Sequence, residues 1–135
     1  MAGVIPNEAL PGVAALLIAN VKYMALGESD TAVAAADTTL GDELVVADSC
    51  GLERVLLSGG TELSRTTTTV TNDTAQWYHV FTASGTKTVK EIGILDAAHG
   101  SADILYWHDV LSPTKALVSG DTLTVTVTMV STDQT

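Results

Sequence analysis

The chain has 135 residues and a formal charge of −10, from six Lys plus Arg against sixteen Asp plus Glu. Its 46% hydrophobic share supports a core without disulfides, and with only 4% aromatic residues that core must be mostly Val, Leu, Ile and Ala. The acidity argues against direct binding to nucleic acid or to an anionic membrane, both of which draw on cations, and suits water or a basic partner.

Residues 1–11 read as an extended arm, because Pro6 and Pro11 resist regular structure and Val4, Ile5 and Leu10 are too few to form a core. The remainder, 12–135, reads as one β-rich domain with a short leading helix. Val13, Leu16, Leu17 and Val21 follow helical spacing among alanines, which predicts a helix over Gly12–Ala19. That run is too short to span a bilayer, and no basic start precedes it, so neither a membrane span nor a signal peptide is predicted. Val21–Leu26 is a predicted strand, and 27–43 a loop of small residues with Leu40 as its apolar anchor. Strands are then expected at Leu44–Ala47 and Glu53–Leu57, around the turn at Asp48-Ser49-Cys50-Gly51. Cys50 is alone, so no intrachain disulfide is possible, and it reads as a small, buried or half-exposed thiol.

From residue 61 the β signal strengthens. Strands are expected at Leu63–Thr71, Ala75–Ala83, Lys87–Leu95, Ile104–Val110 and Leu123–Val130, with a turn at Ser58-Gly59-Gly60, a break at Ser112-Pro113 and a polar tail from Ser131 to Thr135. The last strand alternates Thr with Leu, Val and Met, giving one apolar and one hydroxylated face. The fold class this predicts is all-β, an antiparallel sandwich or barrel.

No catalytic constellation emerges. A Gly-x-Ser-x-Gly elbow and a phosphate loop are both absent, and adjacent carboxylates such as Asp42-Glu43 would face opposite sides of a strand. His79, His108 and Asp109 lack zinc-ligand spacing, and Asp30, Asp37, Asp42 and Asp96 lack the alternation of a calcium loop, so they read as strand-face and turn-capping residues. No metal, cofactor or enzymatic activity is predicted. Trp77-Tyr78 and Tyr106-Trp107 each give one inward and one outward aromatic, and the outward ones suit a partner subunit or a glycan.

In order along residues 21–130, the segments Tyr23-Met24-Ala25-Leu26-Gly27, Asp37-Thr38-Thr39-Leu40-Gly41-Asp42-Glu43, Trp77–Thr82, Lys90-Glu91-Ile92-Gly93-Ile94-Leu95-Asp96 and Lys115 with Asp121-Thr122-Leu123-Thr124-Val125 resemble virion structural proteins of tailed double-stranded DNA viruses. These are of the capsid-decoration, tail-fibre and tail-collar kinds. Two stretches depart from that pattern: Leu44–Gly60 with Cys50, and Ala98-His99-Gly100-Ser101 where Gly-Gly is usual.

The resemblance implies a non-catalytic β module of the virion, decorating or stabilising the capsid as a homo-oligomer. A trimer contacting the major capsid protein is the first expectation; a tail-fibre or baseplate attachment module binding host surface glycan is the alternative. Gly93 permits close approach of a neighbour, and Glu91, if buried, calls for an arginine, with Arg54 and Arg65 the only ones present. Val4, Ile5, Leu10, Glu91, Gly93, Arg54, Arg65, Trp77 and Trp107 are therefore the candidate interface residues. The arm is expected to lie on a neighbouring subunit, so that deleting residues 2–10 leaves the β body intact.

Overall fold

A computed structural model describes residues 3–132; Met1 and Ala2 of the expected arm and 133–135 of the expected tail lie outside the described residues. A 3-10 turn at Asn7–Ala9 leads into helix α1, Leu10–Asn20. Seven strands follow: β1 Tyr23–Gly27, β2 Val55–Leu56, β3 Leu63–Thr66, β4 Thr74–Thr82, β5 Lys87–Leu95, β6 Leu105–Leu117 and β7 Thr122–Val130. A single helical turn, α2 Gly59–Glu62, precedes β3.

All strand pairs are antiparallel and form two sheets, β2-β1-β5-β6 and β3-β4-β7. The sheets face each other across one core. Met24, Leu26, Ile92 and Ile94 come from the first sheet, and Ala75, Trp77, Phe81, Val125 and Val127 from the second. The β-sandwich expected from strand spacing is therefore the fold. Ala14 of α1 and Leu44, Cys50, Leu52 and Leu57 of the connecting loops close the core at its margins. Trp77 is wholly enclosed, and its indole N–H donates to the Val21 carbonyl at 2.6 Å, tying β4 to the exit of α1.

The four-stranded sheet is covered on its second face as well. Ala25 and Leu95 pack there beneath Leu40 of the 28–43 loop, flanked by Tyr23 and Leu105. This explains why the end of β5, Ile92-Gly93-Ile94-Leu95, is an unbroken apolar run: it is buried on both sides. A register shift between Val89 and Glu91 sets its parity. Val89 and Ile92 both join the inter-sheet core although they are three positions apart, and Glu91 turns to the loop side.

Several expected elements differ. α1 starts earlier than predicted, and Leu10 is only 3% exposed, so the structured body reaches into the segment read as an arm. Leu44–Ala47 is not a strand: Glu43 makes one bridge to Gly27, and a 3-10 turn follows at Val46–Asp48. Glu53–Leu57 shortens to β2, and β3 ends at Thr66 because Asp73 gathers the next stretch into a turn, accepting from the N–H groups of Thr68, Thr69 and Val70. Ser112-Pro113 does not end β6. Pro lacks only an N–H, and on an edge strand that loss is tolerated. Among the described residues no helix is long and apolar enough to cross a membrane.

Candidate functional site

Three of the five resemblance-bearing segments, Tyr23–Gly27, Asp37–Glu43 and Lys90–Asp96, meet at one place. β1 pairs with β5 so that Gly27 lies opposite Glu91 and Ala25 opposite Gly93, while the 37–43 segment folds over this face. Glu91 is 1% exposed. Its Oε1 accepts from the Asp42 N–H at 2.7 Å and the Ser29 N–H at 3.4 Å, and its Oε2 from the Gly41 N–H at 2.9 Å. A buried carboxylate needs such donors, and here the loop backbone supplies them.

The expected arginine partner is corrected by the structure. Neither Arg54 nor Arg65 reaches Glu91; its ionic partner is His108 of β6, whose Nε2 lies 2.9 Å from Oε2. The other ring nitrogen, Nδ1, lies 3.0 Å from Asp37 Oδ2. Asp37 also accepts from the Ala34 N–H at 2.8 Å; that bond, with the His108 contact, holds its carboxyl below the usual carboxylate range. The chain Glu91–His108–Asp37 thus pins both ends of the loop's 34–42 stretch to the sheet.

Glycines make this approach possible. A Cβ on Gly27 would meet the Glu91 carboxylate and lie 2.7 Å from the Asp42 carbonyl oxygen; one on Gly41 would lie 2.5 Å from Ser29 Oγ. A Cβ on Gly93 would strike Leu40 and lie 3.0 Å from Leu105. Gly93 does permit a close crossing, and the crossing segment belongs to the same chain.

A second tie lies beside the first. Arg54 sends Nε and Nη2 to the two oxygens of Glu43 at 2.9 and 2.6 Å, and Nη1 to Asp103 at 2.5 Å and the Ala97 carbonyl at 2.7 Å. Burial opposes the Arg54 charge, and the hydrogen bonds from Glu43 and Asp103 outweigh it, raising its pKa. This fork joins the 28–43, 51–54 and 96–104 loops. Lys87 bridges Glu28 at 3.1 Å and Asp48 at 3.3 Å, fixing the loop's first residue.

The other candidates scatter. Val4 and Ile5 are exposed at 55% and 40%, and Arg65 reaches the Pro11 carbonyl at 3.2 Å. Trp77, Leu10, Glu91 and Gly93 are interior. Trp107 is half-buried against the core, and its neighbour Tyr106 is 45% exposed, beside a cleft of about 220 Å³ lined by Val33, Ala34, Asp37 and His108. His79 and His108 stand in different sheets, His79 paired with Glu62, so they do not converge. Among the described residues no cluster of three or more His, Cys, Asp or Glu is arranged to hold a metal.

Sequence reasoning missed His108 and Asp37 as partners of Glu91. The available signal was a Glu at the head of an apolar run, with a glycine two residues on; nothing local pointed to His108 or Asp37.

The arrangement is a latch: its acceptors and donors engage one another and the loop backbone, presenting a shaped loop surface. A family model described as Podophage GP4 fiber I protein gp80 matches residues 5–133. No curated protein matches the chain.

Proposed function

The chain belongs to the Podophage GP4 fiber I protein gp80 family, and we propose that it works as a non-enzymatic assembly module of the fibre rather than as a capsid decoration. Membership makes it a structural component of a tailed-phage particle, synthesised in the host cell, and the fibre description of the family supports placing it in the fibre. The observation that carries the non-enzymatic reading is the Glu91–His108–Asp37 latch. The titratable groups that could have formed a reaction centre are committed to holding the 28–43 loop on the sheet. A rigid, doubly covered sheet with pinned loops suits a part that must keep its shape while neighbours dock. Its partners are other copies of itself and other virion proteins, and its charge of −10 favours basic surfaces on the latter. The exposed Val4 and Ile5 extend the module towards such a neighbour.

Deleting the gene from a phage that encodes the chain tests the assignment. DNA-filled heads of normal stability lacking a fibre are expected. Particles with complete fibres and fragile heads would overturn it in favour of capsid decoration.

The exposed Tyr106 next to Trp107, over the cleft with Asp37 and His108, favours a second reading, attachment to host surface glycan. A glycan array with the wild type and Tyr106→Ala, its fold checked by melting temperature, tests it: binding lost in the folded variant supports attachment, and no binding by the folded wild type removes it.

A further inference from the structure

The two sheets have four edge strands, and three carry features that hinder pairing with another chain. β2 is two residues long. β3 has four residues and carries the exposed Arg65. β6 carries Asp109, Pro113 and Lys115, and its pairing with β5 shifts register twice. Short length, charge, proline and bulges are the means by which sheet edges are kept from adding a foreign strand.

β7 has none of them. Its nine residues, Thr122–Val130, pair with β4 without a register shift and contain no charge, Pro or Gly. Among the described residues no strand lies on its other side. Towards its ends the edge strand is incompletely covered, with Leu123 and Met129 half-buried and Val130 41% exposed, while Val125 and Val127 at its middle are buried in the core.

We propose that the open edge of β7 is an interface with a second copy of this chain, the two β7 strands pairing antiparallel about Thr126. The sequence is complementary to itself in that register. Thr126 meets its own counterpart, Val125 faces Val127, Thr124 faces Thr128, and Leu123 faces Met129. Apolar residues stay on the core face and threonines on the outer face in both copies, giving β-branched and hydroxyl cross-strand pairs. The acidic chain brings no acid onto acid here: Asp121, just outside the strand, faces Ser131. The contact is isologous and closes at two copies, joining both three-stranded sheets into one. It therefore builds a twofold unit, in place of the threefold one the resemblance implied. The inference is independent of where in the particle the module sits, so its failure leaves the fibre assignment untouched.

Light scattering on the purified full chain tests this. The wild type is expected as a dimer. Thr126→Lys and Thr126→Glu each set like charges on the twofold axis and are expected as folded monomers, since Thr126 is exposed. An equimolar mixture of the two should restore a dimer.

Cross-linking tests the register. Paired residues lie about 4.5–5.5 Å apart at Cα, within disulfide reach. Thr126→Cys should form an interchain disulfide. Thr122→Cys should not, because its counterpart lies about 27 Å away along the strands. A monomeric wild type at its highest soluble concentration, or an oligomer indifferent to Thr126→Lys, would overturn the proposal. So would a wild-type monomer whose β7 edge serves only a different virion protein.

Discussion

Gly27 and Glu91 face each other across the β1–β5 ladder, and the Glu91 carboxylate occupies the space a side chain at position 27 would need. A strand residue and a loop latch are thereby coupled through one absent Cβ. Gly27→Ala should displace the carboxylate and cost about 1–3 kcal/mol, the range for overfilled interiors. Gly60→Ala is the control, since a Cβ there meets nothing within 4 Å and Gly60 is not a positive-φ glycine. Urea denaturation of both variants decides it: equal midpoints would mean that the close approach carries no energetic weight.

Arg54 joins three loops through a planar fork, so its replacement should be costly and poorly rescued. Arg54→Met leaves Glu43 and Asp103 facing each other without a cation and should lose about 3 kcal/mol. Arg54→Lys restores charge but not the paired bonds to Glu43 at 2.6 and 2.9 Å, and should recover less than half of the loss. Hydrogen exchange should quicken in 96–104 and 40–43 before it does in β4 and β7. Uniform quickening would argue against a local tie.

Acid should weaken the fold through Asp73. N–H groups of Val70, Thr68 and Thr69, with the Thr74 hydroxyl, hold its carboxyl far below its ordinary value of 3.8. A folded-state pKa below the unfolded one contributes stability that is fully present above about pH 4 and is lost as pH falls through the folded value. Asp37 and Asp48 act with the same sign, the largest cause being the Ala34 N–H for one and the Val45 N–H for the other. Melting temperature should therefore drop between pH 5 and pH 2. Asp73→Asn should melt lower at pH 7 yet fall less steeply across that window. An unchanged acid slope would remove Asp73 from the account.

The N-terminal segment divides at Leu10. Removing residues 3–6 takes away exposed Val4 and Ile5 and should leave the melting temperature nearly unchanged, while Leu10→Ala should cost about 2–5 kcal/mol. Deleting residues 2–10 removes the buried Leu10 side chain and should destabilise the body, contrary to the expectation for a free arm. If the short deletion is as damaging as Leu10→Ala, Val4 and Ile5 contribute to the fold itself. If it also spares incorporation into particles, they have no anchoring role.

By itself, the sequence determined the β architecture and most of its strands. Lys87–Leu95 was legible to the residue because turn signals bound it on both sides, and Leu123–Val130 came within one residue of the observed Thr122–Val130 because alternation by two is also local. The resemblance-bearing segments likewise located the face where Gly27, Glu91 and the 37–43 loop meet. What only the tertiary structure decided was the partnering. Glu91 takes His108 rather than an arginine because the β5–β6 register, with its shift at Lys90, brings β6 across that face, and long-range register is not written in either strand alone. The length of β6 past Pro113 and the loss of a strand at Leu44–Ala47 have the same origin: whether a backbone segment pairs depends on what lies beside it. The open edge of β7 belongs with them, since its composition is local but its lack of a neighbour is a property of the sheet.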